Sequence, residues 1–299
     1  MNCSEKGPSH GIGLLSGLLA VLMVFSTCSG SDPTGPGGGG SSGFAGLIDH
    51  NCTGLYDIPD EWITDVKDNI RLHYAHTSHG SQLTTGLELI ESDDPSFAVD
   101  IGTGYLPQTA GVLCVFDGQA GESYVTPELF WESHEGMEMT REVLDSNPSI
   151  NVCMWCWCSQ MDYYGQEQVQ AYLDSMSLLE SEYPSVTFVY MTGNAQNTGD
   201  EGYNRYQRNR QVRQFCESGG RTLFDFADLD SWWYDASTGQ WEQNTYSWQG
   251  TSVPVEHEEF YGDEAGHTTY ESCRQKGYAV WWMLATIRGW SPSDSNILE

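Results

Sequence analysis

Basic residues are scarce in this sequence: 12 Lys and Arg stand against 42 Asp and Glu, and the formal net charge is −30 over 299 residues. Lysine occurs three times, at Lys6, Lys67 and Lys276. A surface this negative repels phosphate backbones, so we expect no nucleic-acid partner.

The sequence also lacks long apolar runs and internal repeats. Its most apolar stretch, residues 12–25 (IGLLSGLLAVLMVF), is too short to span a bilayer comfortably. No repeat is visible at solenoid or propeller periods, which argues against those architectures. A short apolar run of this kind is typical of a signal peptide, so we predict that residues 1–28 are a signal segment.

The end of this segment predicts how the protein is attached to a membrane. Phe25-Ser26-Thr27-Cys28 resembles a bacterial lipoprotein signal, which would make Cys28 a lipid anchor and the protein's only link to a membrane. Residues 29–44 are rich in Gly and Ser and predict a flexible tether. We therefore expect an exported protein, either a cell-envelope lipoprotein or a secreted one.

Residues 45–299 are long enough for one large domain, in which short apolar strands alternate with helical segments. The alternation predicts a three-layer α/β/α sandwich with a mostly parallel, flavodoxin-like sheet of five strands. Four of these strands are predicted at 69–75, 150–157, 186–191 and 222–226, and another lies between residues 97 and 116. Helices are predicted at about 127–145, at 166–183 and, as the final helix, at 271–288.

Polar residues gather where the predicted strands end. One group follows the first strand (residues 76–81), others follow the third (158–162) and fourth (192–196), and a last group (262–267) precedes the final helix. Parallel sheets place active sites beyond the carboxyl ends of their strands, so we expect these turns to meet. A serine there can act as a nucleophile if a histidine takes its proton and an acid orients the histidine.

This order of elements resembles the SGNH (GDSL-like) hydrolase superfamily. That family begins with a strand ending in Gly-Asp-Ser, where this chain has His76-Thr77-Ser78 and keeps the serine. The family's Asp-x-x-His before the last helix corresponds to Glu264-Ala265-Gly266-His267, with Asp263 one residue further away. The resemblance implies an ester hydrolase with an acyl-serine intermediate on Ser78, His267 as base and then acid, and Glu264 or Asp263 as its orienting group.

The same resemblance implies an oxyanion site. The family's Gly-x-Asn-Asp block corresponds to residues 159–162, where Gln160 takes the place of the oxyanion Asn. Gly102, Gly104 and Gly111 are candidates for the glycine after the second strand, of which we select Gly111, and Asn194 in a later turn completes the predicted set. Substrates are expected to be small acyl esters or an acylated polysaccharide, with no metal and no cofactor.

Two other functions stay open. A metal-dependent hydrolase would draw ligands from His73, His76 and His79 with the later histidines His134, His257 and His267. Against this, His73 and His76 are three positions apart and face opposite sides of an extended strand. A non-catalytic surface protein on an SGNH-like scaffold would bind carbohydrate. Its site would be the aromatic-rich insertion 231–248, which could equally be a locally packed loop.

The cysteines of the run NVCMWCWC look like a metal motif but lie in an apolar segment that predicts a buried central strand. On a strand Cys156 and Cys158 face one side and Cys153 the other, so the three cannot converge easily on one ion. We interpret all three as buried free thiols.

Overall fold

A computed structural model describes residues 46–292 of the chain. The predicted signal segment, the tether and the candidate lipid anchor Cys28 lie outside the described residues. No helix between residues 46 and 292 combines the length and apolar character needed to cross a membrane.

The described chain is built around one sheet in which all paired neighbours are parallel. Its strands are β1 (Leu47–Ile48), β2 (Arg71–His76), β3 (Val99–Thr103), β4 (Leu113–Asp117), β5 (Val152–Cys156), β6 (Thr187–Met191) and β7 (Leu223–Phe224). They follow the order β1-β7-β6-β5-β2-β4-β3. The α/β prediction is therefore confirmed.

The predicted number of five strands is wrong, because the sheet has seven. Strands β2, β4, β5, β6 and β7 follow the 2-1-3-4-5 order of flavodoxin-like sheets. The extra strands lie at the edges, with β1 beside β7 and β3 beside β4. β1 has only two residues, and β3 carries little apolar side-chain surface, so neither produces a strong pattern in the sequence.

Helices cover both faces of the sheet. They are α1 (Asp60–Asn69), α2 (Ser81–Asp93), α3 (Pro127–Phe130), α4 (His134–Ser146), α5 (Gln160–Tyr163), α6 (Gln166–Glu182), α7 (Gly199–Gly219), α8 (Phe226–Ser231) and α9 (Tyr270–Arg288). On one face α9 packs against α1 and α2, while α6 packs against α7 on the other. An ion pair between Arg141 and Glu182 joins α4 to α6.

The closest helix contact on the first face depends on two glycines. A Cβ atom added at Gly86 of α2 would overlap the backbone of Cys273 on α9, and one added at Gly277 would lie 2.8 Å from the backbone of Gly86. Such distances leave no room for a side chain. The C-terminal helix α9 is therefore locked against the helix that follows β2.

The aromatic insertion forms two antiparallel hairpins, β8 (Trp232–Asp235) with β9 (Gln240–Gln243) and β10 (Thr245–Trp248) with β11 (Thr251–Pro254). The segment that follows returns to the carboxyl edge of the sheet. There the backbone N–H of Glu256 donates to Ala195 O at 2.8 Å, and that of His257 donates to Asp230 O at 2.8 Å. These bonds bring the last polar loop to the strand ends.

Candidate active site

A thiol, an imidazole and a hydroxyl meet at the carboxyl ends of the neighbouring strands β2 and β5. Cys158 lies two residues beyond the end of β5 and is partly buried. Its Sγ lies 2.9 Å from Nδ1 of His79 and 3.3 Å from Oγ of Ser78. Both partners belong to the short 3-10 turn Ser78–Gly80 that follows β2. The pairing of β2 with β5 therefore places the three side chains together.

The other ring nitrogen of His79 fixes its tautomer. Nε2 lies 2.7 Å from Oε1 of Gln196, and Nε2 of Gln196 donates to Glu256 Oε1 at 3.1 Å and to His267 O at 2.7 Å. Because both of those partners are acceptors, the Gln196 amide must turn its oxygen to the imidazole. His79 then carries its proton on Nε2 and presents a lone pair at Nδ1 to the thiol when neutral.

The contact between His79 and Cys158 changes both pKa values. Burial alone raises the pKa of Cys158, but the hydrogen bond and charge of His79, with the Ser78 hydroxyl, outweigh it and lower the pKa to about 6. Burial alone lowers the pKa of His79, but its hydrogen bond and attraction to Cys158 outweigh that and raise it. The pair therefore favours thiolate and imidazolium at neutral pH.

Buried polar side chains hold the loop that carries Gln196. Glu256 is buried, accepts from Gln196 and from the Thr268 hydroxyl at 3.1 Å each, and has its pKa raised by burial and by Asp230. Asp230 accepts the N–H of Ala195 at 2.8 Å and forms a 2.7 Å ion pair with the fully buried Lys276. The carboxyl group of Glu256 thus orients the Gln196 amide by accepting from its NH₂.

The predicted nucleophile Ser78 and the loop of His267 lie in the same region. A Cβ atom added at Gly266 would lie 3.0 Å from Ser78 O, and the ring centroid of His267 lies 4.9 Å from that of His79. The His267 side chain is 52% exposed and its φ is +69°, a left-handed value uncommon for residues other than glycine.

The two predicted acids take different positions. Oδ1 of Asp263 lies 3.7 Å from Nδ1 of His267, and its side chain is exposed. Glu264 instead accepts the backbone N–H of Tyr270 at 2.8 Å, at the start of α9. Of the two, Asp263 is therefore the one that faces the His267 imidazole.

The predicted oxyanion residues do not all meet. Oε1 of Gln160 accepts the N–H of Cys158 at 2.7 Å, and Nδ2 of Asn194 donates to Cys158 O at 2.9 Å, so both side chains lie beside the thiol residue. Gly111 lies in the turn before β4, at the amino edge of the sheet and away from them. At the carboxyl edge the glycine after β4 is Gly118, whose N–H donates to Tyr74 O at 2.8 Å.

Sequence reasoning missed Cys158 because it treated the strand as running two residues further, to Cys158. The strand ends at Cys156, so Cys158 leaves the sheet instead of sharing a buried face with Cys156. Cys153 and Cys156 are free and buried, as predicted, and burial raises the pKa of each thiol. The interpretation of Cys158 as a buried structural thiol is wrong, because the thiol is partly exposed and paired with an imidazole.

The first three histidines of the metal alternative contact different partners. His73 is fully buried, lies 3.0 Å from Gly118 O, and has its pKa lowered by burial to about 4. His76 lies 2.7 Å from Thr77 O and 2.9 Å from Asp117 Oδ1. Within residues 46–292, the three-residue group whose ligand atoms could share an ion is elsewhere, at Asp49, His50 and Asp228.

Together these side chains provide a thiol of lowered pKa (Cys158), a histidine of fixed tautomer (His79) and a buried carboxyl group (Glu256) that accepts from Gln196, the partner of that histidine. The order Cys158, His79, Gln196 has the geometry by which a nucleophile, a base and an orienting amide cooperate. Scans against protein-family models and against curated protein sequences found no match to this chain.

Proposed function

We propose that this chain is an ester hydrolase on an SGNH-like scaffold, with Cys158 as its nucleophile in place of Ser78. The observation that carries the proposal is the 2.9 Å contact between Cys158 Sγ and His79 Nδ1, in which the pKa of the thiol is lowered to about 6. At pH 7 such a thiol is ionised by about ten to one. Low-pKa thiols beside an imidazole are the nucleophiles of cysteine-dependent acyl transfer.

The proposed reaction has two steps. The Cys158 thiolate attacks the ester carbonyl carbon, and the tetrahedral intermediate collapses with cleavage of the bond to the leaving oxygen, which takes the proton of the His79 imidazolium. An acyl thioester remains on Cys158. Neutral His79 then removes a proton from water as the water attacks the thioester. Release of the carboxylic acid regenerates the thiolate and the imidazolium.

The neighbouring side chains have separate tasks in this reaction. Gln196 keeps the His79 ring in the tautomer that accepts the thiol proton, as its contacts to Glu256 and His267 require. The NH₂ of Gln160 is our candidate oxyanion donor, because its amide oxygen is fixed on the N–H of Cys158. The Ser78 hydroxyl lies 3.3 Å from the thiol sulfur and donates to the thiolate.

The proposal is tested by trapping the acyl-enzyme. We expect a short aryl acetate to acetylate Cys158 in an acid quench at early times, with the product phenol appearing as a burst. Peptide mass spectrometry locates the acetyl group, and neutral hydroxylamine removes it because it is a thioester. An acetyl group on Ser78 that resists hydroxylamine would assign the reaction to the serine instead.

Replacing His79 by glutamine tests the ion pair. Because the imidazolium no longer stabilises the thiolate, we expect the pKa of Cys158 to rise from about 6 toward the ordinary thiol value near 8.5, so that alkylation at pH 7 slows by about tenfold or more. The measurement is the iodoacetamide rate at Cys158 from pH 4.5 to 10. His267→Gln is the matched control, because that ring is mostly exposed and should leave the midpoint near its original value. Equal midpoints in His79→Gln and the parent protein would refute the ion pair.

A further inference from the structure

A large cavity lies beyond the carboxyl end of β1, on the same edge of the sheet as Cys158. Its volume is about 640 Å³. The walls come from the turn after β1, the β8–β9 hairpin and the first turns of α9. The aromatic rings that line it belong to His50, Trp233, Tyr234, Trp241 and Tyr278. This volume lies within the range of small-molecule binding sites and is larger than a single small ion requires.

The aromatic walls of this cavity are held in fixed orientations. Nε1 of Trp233 donates to Glu271 Oε1 at 2.9 Å, and its ring stacks on His257 with centroids 5.4 Å apart. The Trp241 ring meets Tyr234 and His50 edge to face at 5.4 and 5.1 Å. These contacts preorganise the rings before a ligand arrives, which lowers the entropy cost of binding.

The polar groups in the cavity include donors and acceptors. Asn51 and Arg274 bring N–H groups, while Asp57 and Glu271 bring carboxylate oxygens. Gln275 brings its amide oxygen, because its NH₂ donates to Leu229 O and Trp232 O. A sugar ring matches this mixture, because its C–H face packs on aromatic rings while each hydroxyl both donates and accepts. The net charge of −30 disfavours acidic sugars. We propose that the cavity binds the neutral sugar rings of an acylated glycan, the substrate whose ester reaches Cys158.

The cavity and the thiol lie a few strand positions apart along the same edge of the sheet. In the sheet order β1 lies three strand positions from β5, which is roughly 14 Å at the usual strand spacing of ~4.8 Å. Trp233 stacks on His257, whose neighbour Glu256 accepts from Gln196. In this proposal, a glycan seated on the aromatic walls extends along this edge of the sheet toward the His79 pair. This use of the cavity as a substrate subsite rests on the proposed hydrolase function.

A quaternary ammonium ion is the main competitor, because aromatic rings and carboxylates also attract cations. A quaternary nitrogen neither donates nor accepts hydrogen bonds, so it could not use the N–H groups that Asn51 and Arg274 keep beyond their bonds to Asp49 and Asp93. Such an ion is also much smaller than the cavity. The mixture of donors and acceptors therefore favours the sugar.

Binding is tested on the protein carrying Cys158→Ala, so that hydrolysis cannot consume the probe. The probes are cellohexaose, xylohexaose, chitohexaose and choline chloride, each titrated by calorimetry. We expect at least one hexasaccharide to bind, and the added change Trp241→Ala or Tyr234→Ala to weaken that binding at least tenfold. Trp248→Ala is the matched control, because this partly exposed Trp lies on β10 and does not line the cavity. It should leave the affinity unchanged.

The exposed side chain of Tyr234 makes its variant the safer one for folding, and near-UV circular dichroism checks both. Binding of choline alone, binding of none of the three hexasaccharides, or equal losses in Trp248→Ala and Trp241→Ala would each overturn the proposal. Failure here leaves acetylation of Cys158 by the aryl acetate intact. If Cys158 is not acetylated but the glycan binds, the hydrolase proposal is contradicted and the proposed glycan site is supported.

Discussion

Replacing Cys158 by alanine is expected to lower kcat/KM for an aryl acetate by at least about 10³, because loss of a nucleophile removes the covalent route altogether. Ser78→Ala is expected to cost only about tenfold, since it removes one hydrogen bond to a charged sulfur. The measurement is initial rates of both variants and the parent protein at pH 7, corrected for spontaneous hydrolysis.

Cys52→Ala is the control for loss of a thiol. Cys52 is also partly exposed, but burial raises its pKa to about 12, so it contributes no thiolate at neutral pH. Its variant should hydrolyse the ester at the parent rate. The opposite ranking, with Ser78→Ala inactive and Cys158→Ala active, would return the nucleophile to the serine that the family resemblance implies.

Replacing Lys276 by methionine is expected to lower the free energy of unfolding by about 3–5 kcal/mol, because it leaves the buried carboxylate of Asp230 without its counter-ion. The Lys276 side chain is fully buried, and its Nζ also lies 4.9 Å from the centre of the Phe226 ring. Methionine keeps the apolar stem of lysine, so the loss comes from the charge. Urea unfolding followed by circular dichroism measures it.

Arg274→Ala provides the comparison on the same helix. Its 2.8 Å ion pair with Asp93 is partly exposed to solvent, so we expect a loss of about 0–1 kcal/mol. A loss for Lys276→Met no greater than that for Arg274→Ala would show that the buried pair adds nothing to stability. We also expect Lys276→Met to loosen the loop of Gln196, because Asp230 holds the N–H of Ala195.

The strands and helices with strong apolar patterns could be predicted from the sequence. The helix predicted at 166–183 is observed as Gln166–Glu182, and the final helix predicted at 271–288 as Tyr270–Arg288. The single helix predicted over 127–145 is observed as two helices. The first ends at Phe130, and the second begins after Ser133, whose side chain accepts the backbone N–H of Gly136. Serine is a preferred N-cap residue, so the start of the second helix could have been predicted from Ser133. The apolar spacing across the whole segment favoured one helix instead.

The sequence predicts which turns form the candidate site but not which side chains pair within it. The turns at 76–81, 158–162 and 192–196 do meet, because parallel strands end at one edge. The pairing of Cys158 with His79 could not be predicted, since it depends on the exact residue at which β5 ends. Gln196 and Glu256 are 60 positions apart and meet only through the return of the chain after β11.

The edge strand β1 fixes the point at which the described chain enters the sheet. Gly46, where the described chain enters the sheet, lies at the amino end of β1 and bonds through its carbonyl to Leu223 N–H at 2.8 Å. In a parallel sheet this end is opposite to the strand ends that carry Cys158. The described chain therefore enters the sheet at the edge opposite to the one that carries Cys158, so anything attached ahead of Gly46 starts from the side remote from the proposed nucleophile.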